Sequence, residues 1–160
     1  MSDEAVVTAQ LGRPPRGAWR VVRRCSFGRP VVIATAPAFG DRAPFPTLYY
    51  LTCPHLVAEV SGLESSGAAG RWRERVRDEA ALRERLLRAD AAYRAARTAE
   101  GGGRDPASDL GIAGQRDSLA VKCLHAHVAA ALAGIDDPVG EGVLALCVEE
   151  CDDDRCGEGS

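Results

Sequence analysis

The sequence predicts an α+β fold: a small antiparallel three-stranded sheet in the N-terminal half, packed with several helices in the C-terminal half. Two observations carry this expectation. Residues 18–52 hold three short runs rich in β-branched and aromatic residues, each bounded by Gly or Pro. Beyond residue 53 the apolar residues recur at helical spacing instead of alternating. At 160 residues the chain suits one domain, expected over residues 1–150, followed by an acidic, flexible tail over 151–160.

The elements follow in order. Residues 3–11 (DEAVVTAQL) form a short helix with acidic residues in its first turn, where the helix dipole favours them. Gly12, Pro14, Pro15 and Gly17 then break the chain. The strands are expected at 18–24, 30–36 and 47–52, and the connections SFGR and PAFGDRAPFP are short enough for a meander. In CPHLVAEVSGLESSG, residues Leu56, Val57, Val60 and Leu63 recur as one helical face, with Thr52 as N-cap and Pro54 in the first turn.

Residues 71–99 read as a single long helix with Trp72, Val76, Leu82, Leu86, Leu87 and Tyr93 as its stripe. Glu79 with Arg83, and Glu84 with Arg88, are favourable i,i+4 pairs. Such a helix is about 40 Å long, enough to project as an arm that docks onto another protein. Residues 101–118 are loop, and their triple glycine lacks the Lys and Ser/Thr of a phosphate-binding P-loop. A central apolar helix is expected at 118–133 and a short last one over GEGVLALCVEEC.

Composition excludes more than it selects. Hydrophobic residues make up 46% and charged residues 27%, an ordinary globular balance. A net charge of -3 gives nucleic-acid binding no electrostatic support, and no stretch approaches the length of a membrane span. The start MSDEAVVTAQ has no signal-peptide pattern, so a cytoplasmic, thiol-reducing location is expected. There the six cysteines are better read as buried apolar groups, metal ligands or reactive thiols than as disulfides.

Cys53 has a local reason to be reactive, because a helix N-terminus stabilises a thiolate. In a three-strand meander Cys25 and Cys53 lie on the same sheet edge with the middle strand between them, about 10 Å apart at the backbone. On a helix over 118–133, Cys123 and His127 share a face, whereas His125 points about 160° away. Cys147, Cys151 and Cys156 make a C-x3-C-x4-C run beside three aspartates, without the tight C-x2-C of zinc ribbons. A hydrolase based on Cys53 and His125, oriented by Asp117, would need tertiary structure to assemble it.

The stretches APFPTLYYLTCP (43–54), GQRD and VKCLHAH (114–127) and DDPVGE (136–141) resemble an actinobacterial family of uncharacterised proteins, domain of unknown function 501. The likeness runs from QLGRPPRG (10–17) to the last cysteine and brings no established activity with it. Mapped here, the family pattern implies a shared set of Cys25, Cys53, Cys123 and Cys156, with His125 on the same KCLH motif. Those thiols would suit zinc or an iron–sulfur cluster.

The leading expectation is therefore a cytoplasmic interaction or regulatory module with a Cys-rich metal or iron–sulfur site at Cys25, Cys53, Cys123, Cys156 and His125. A thiol-dependent enzyme using Cys53, aided by Lys122, Arg116, Asp117 or His125, is the first alternative. A scaffold docking through helix 71–99, with cysteines that merely pack, is the second.

Overall fold

A computed structural model describes residues 1–37 and 45–157; part of the expected PAFGDRAPFP connection and the last tail residues lie outside the described residues. The N-terminal helix α1 (Asp3–Leu11) is capped by Ser2, whose hydroxyl accepts from Ala5 N–H, and ends at Gly12 in the left-handed conformation. Strands β1 (Trp19–Arg24), β2 (Pro30–Thr35) and β3 (Tyr49–Leu51) follow in the order β1-β2-β3, antiparallel throughout, so the expected meander is present. Strand β2 is buried along its whole length, as the middle strand of a covered sheet should be. The pairing of β1 skips Val22, which bulges between Val21↔Ile33 and Arg23↔Val32.

The third strand is shorter than the 47–52 expected. Leu48 O still accepts from Thr35 N–H at 2.8 Å, but the Leu48 N–H turns inward to the Tyr93 hydroxyl at 2.7 Å and leaves the ladder. Helix α2 (Pro54–Ser65) starts one residue later than expected: Cys53, not Thr52, is the N-cap. Thr52 is buried instead, with its hydroxyl directed at the Pro30 carbonyl.

The single helix expected over 71–99 is two helices, α3 (Ala68–Asp78) and α4 (Ala80–Glu100), separated by Glu79 in an extended conformation. No Gly or Pro marks this break. It is held by side chains: Glu79 pairs with Arg75 at 2.8 Å, and the Arg83 guanidinium donates to the carbonyls of Val76 and Arg77 at the end of α3. The expected Glu79–Arg83 pair is thereby replaced. The bend lets Trp72 and Val76 on one helix, and Leu82 and Leu86 on the other, enter the same core. Leu87 alone of the expected stripe is exposed, so the apolar face of this segment is spent inside the chain and forms no projecting arm.

The loop between α4 and the next helix is organised by a buried cation. Arg97, with no exposed side-chain surface, pairs with Asp105 at 2.7 Å and donates to the carbonyls of Pro46, Ala107 and Leu110. Asp90 does the same from one turn-pair earlier, accepting from Ile112 N–H, Ser118 Oγ and Arg94 Nε. Gly111 is required there, since a Cβ would stand 2.0 Å from Asp90 Oδ1.

Helix α5 is confined to Leu124–Leu132, half the expected 118–133, and Cys123 is its N-cap. It is central as expected: Leu124, Val128, Ala129 and Ala130 are fully buried, against β3, α2 and α6 (Pro138–Leu144). Asp137 caps α6 through Val139 and Gly140 N–H and also holds His127 Nδ1 at 2.7 Å. A Cβ on Gly140 would meet His127 O at 2.1 Å, so the glycine sets how closely α5 and α6 approach. Helix α6 ends at Leu144, so Cys147 and Cys151 do not share the helical face expected for them. Among the described residues no helix is long and apolar enough to cross a membrane.

Candidate metal centre

Helix α5 starts late because residues 118–123 run extended or in turns, and this places Cys123 differently from the expectation. At φ -115° and ψ 110° Cys123 is off the helical wheel, so the rule that pairs it with His127 does not apply. Its sulfur instead stands 3.9 Å from His125 Nδ1, two residues on. His127 points into the core against Asp137, a buried hydrogen-bonded residue rather than a neighbour of Cys123.

The same imidazole nitrogen meets a third group. Glu64, in the last turn of α2, brings Oε1 to 2.5 Å from His125 Nδ1. Donor atoms of Glu64, Cys123 and His125 all lie within 4.8 Å of one another, and among the described residues they form the one such group of three His, Cys or acidic side chains. The other ring nitrogen, Nε2, faces the Val57 carbonyl at 3.2 Å and Ser61 Oγ at 3.1 Å. A carbonyl only accepts, so Nε2 carries a proton and Nδ1 is the nitrogen presented to Cys123 and Glu64. Helix α2 thus supplies both the carboxylate and the carbonyl that orients the ring.

Electrostatics at the three groups are coupled. Burial pushes the Cys123 thiol up, but the His125 hydrogen bond, the Ala126 N–H and the imidazole charge together outweigh burial and leave it below its usual value. The sulfur makes no geometrically closed capping bond, so the Ala126 N–H acts on it as an oriented dipole. His125 moves the other way: its bond to Cys123, the Val57 carbonyl and the Glu64 charge hold the imidazolium above its ordinary range against the effect of burial. Without a metal this is a thiol, imidazole and carboxylate cluster in which the thiol and the imidazole each favour the other's charged form. With one, it is a sulfur, a nitrogen and an oxygen donor at a common point.

The cluster borders an open cleft of about 400 Å³ between β3, α2 and the start of α5. Thr47, Tyr49, Tyr50, Leu51 and Ala113 complete its walls, so access runs over a phenolic and apolar surface. Tyr49 is half-buried, and burial raises its phenol, which stays neutral at ordinary pH.

The other expected site residues lie elsewhere. Cys25 directly follows β1 and Cys53 follows β3, on one sheet edge as the meander requires. Both line a second, small cavity together with Cys156 and also Cys151, which lies outside the expected ligand set. The expected five-residue set is therefore divided between two places. Cys123 and His125 stand at one, and Cys25, Cys53 and Cys156 at the other, with Cys53 and Glu64 eleven residue steps apart along α2, about 16 Å.

Cys53 does occupy a helix N-cap, but the expected lowering of its thiol does not follow. Burial pushes it up by more than the Leu56 and His55 N–H groups pull it down, and the neighbouring Cys156 and Cys151 act in the same direction as burial. A nucleophile is better placed at Cys123. Arg116 and Asp117, suggested as helpers, sit on the surface, where Arg116 pairs with Asp109 and Asp117 accepts from Leu119 N–H.

Glu64 escaped the sequence reading altogether. Its only signal was a position about three turns after Cys53 on a helix whose neighbour could not be known, and nothing in ESSG distinguishes it from a solvated acid.

No curated protein and no solved structure matches the chain. A family profile covers residues 21–145, which takes in Cys25, Cys53, Glu64, Cys123 and His125 and stops short of Cys147, Cys151 and Cys156. The chain belongs to the family described as Protein of unknown function (DUF501).

Proposed function

We propose that this protein is a metal-dependent binding module in which Glu64, Cys123 and His125 hold a divalent cation of the zinc class at the edge of the 400 Å³ cleft. The observation that carries this reading is the fixed orientation of His125: with Nε2–H committed to the Val57 carbonyl, Nδ1 is aimed at the same point as the thiol and the carboxylate. Metal-bound histidines characteristically give their second N–H to such a carbonyl. Thiolate and imidazole together favour zinc over magnesium or calcium. A single thiol at this point does not suit an iron–sulfur cluster.

Three protein donors leave a coordination position for a ligand arriving through the cleft. The tyrosine and apolar walls offer contact area and hydrogen bonds, which supports capture of a ligand more than turnover. Titration of the reduced full chain with Co²⁺, under anaerobic conditions, tests the reading. One cobalt equivalent with a single sulfur charge-transfer component is expected at the cleft, and that component is lost in Cys123→Ser and in His125→Ala. Equal binding by wild type and both variants would overturn it.

A second reading rests on the 3.9 Å contact between the Cys123 sulfur and His125 Nδ1, with the thiol shifted down and the imidazole up. In it Cys123 is the nucleophile of a thiol-dependent enzyme, His125 its partner and Glu64 a group whose charge favours the imidazolium form. The Glu64 contact on the same ring nitrogen as the thiol speaks for the metal. An orienting carboxylate would be expected on the opposite nitrogen.

A further inference from the structure

Four cysteines from three distant parts of the chain meet at the second cavity. Cys25 comes from the end of β1 and Cys53 from the start of α2, while Cys151 and Cys156 come from the C-terminal segment. None is in a disulfide. Three carboxyl-bearing residues, Glu149, Glu150 and Asp154, share the rim, against one guanidinium, Arg29. Charge and donor softness both favour a cation.

We propose that Cys25, Cys53, Cys151 and Cys156 form a second metal site, a tetrathiolate centre for a single zinc-class ion that fastens the C-terminal segment to the sheet edge. The cavity is small, about 10 Å³, of the order that holds one small occupant.

The surrounding polar contacts are those of an outer shell. Gln10 Nε2 donates to Cys156 Sγ at 3.4 Å and to the Pro30 carbonyl at 2.9 Å, tying α1 and β2 to the tail thiol. Arg29 holds Asp154 through two bonds of 3.0 Å, and Glu150 Oε1 accepts from Ser26 N–H at 3.0 Å, next to Cys25. These bonds position the segment carrying Cys151 and Cys156 over the two framework thiols. No three of the four sulfurs lie within 4.8 Å of one another, so ligation by all four requires them to draw together. Each thiol that ligates releases its proton.

The site differs from the Glu64–Cys123–His125 cluster in every donor, so the two can be tested separately. The probes are Co²⁺ and Zn²⁺, added to the reduced full chain without oxygen. Metal analysis of wild type should give a second equivalent beyond that of the first site, with the intense charge-transfer absorption of a multi-thiolate cobalt centre. Cys151→Ser and Cys156→Ser, on the surface segment where folding is least at risk, should each lose that equivalent and its absorption. Cys123→Ser should retain both. Zinc should also slow trypsin cleavage after Arg155 about tenfold in wild type, and not in Cys151→Ser. The proposal is overturned if the two tail variants keep wild-type metal content and spectrum, or if Cys123→Ser abolishes the multi-thiolate absorption. Loss of the first equivalent alone in Cys123→Ser would leave this centre standing and bear only on the cleft.

Discussion

The Val57 carbonyl lies 3.2 Å from His125 Nε2, and this bond decides what the rest of the ring can do. It commits one nitrogen to the backbone of α2 and turns the other toward Cys123 and, one helical stretch further on, Glu64. A side chain that sequence periodicity would place on the far side of a helix becomes the centre of a three-donor cluster. The residue two positions before it is simply not helical.

The proposed site makes Glu64 a ligand, so Glu64→Gln should weaken Co²⁺ or Zn²⁺ binding at the cleft by more than the roughly 10–100-fold typical of losing an outer-shell partner. Ser61→Ala, which removes the hydroxyl 3.1 Å from His125 Nε2, should cost less. Isothermal titration gives both affinities. Thermal unfolding should change little in either variant, because both side chains are partly or wholly exposed.

In the metal-free protein the depressed Cys123 thiol should alkylate faster at pH 7 than an unstructured thiol, and the raised Cys53 thiol more slowly. A lowered folded value means that the thiolate persists as pH falls, and reactivity drops only on passing through that value. His125→Ala should move the rate profile of Cys123 toward higher pH. Differential alkylation read by mass spectrometry separates the six cysteines; equal rates at Cys53 and Cys123 would contradict the assignment.

Tyr93 is fully buried, and its phenol is pushed up to about 12 by burial, against the opposing pull of the Leu48 and Tyr49 N–H groups and Arg97. The unfolded phenol ionises near 10, so the folded state holds a proton that the unfolded state gives up between those values. The stabilisation is intact below pH 10 and is lost as pH rises through about 12, at up to about 1.4 kcal/mol per pH unit. Denaturation midpoints over this range check it. Tyr93→Phe should flatten that slope and cost about 1–3 kcal/mol at neutral pH, because the buried Leu48 N–H loses its acceptor.

Arg97→Gln should be among the most damaging single changes, by about 3–5 kcal/mol, since Asp105 would remain as a buried charge without its cation. Part of the loss should return in the double variant Arg97→Met with Asp105→Leu, where no charge is left behind. Hydrogen exchange should show the damage concentrated in residues 101–118, whose carbonyls at Ala107 and Leu110 the guanidinium holds.

Local signals in the chain determined the N-terminal helix, the three-strand meander and the position of Cys25 and Cys53 on one sheet edge. Turn residues and alternation act over a few positions, and an antiparallel meander needs nothing further to set its order. The apolar run after residue 123 likewise identified the central helix, because most of its residues are buried. The break at Glu79 was not legible, since it has no Gly or Pro and is stabilised by Arg75 and Arg83 reaching across it. Nor was the start of α5 at Leu124, which moved Cys123 from His127 to His125. Tertiary structure alone decided that Glu64 joins that pair and that Cys151 joins Cys25, Cys53 and Cys156. Which donors share a point depends on how separate elements pack, and no spacing along one chain contains that distance.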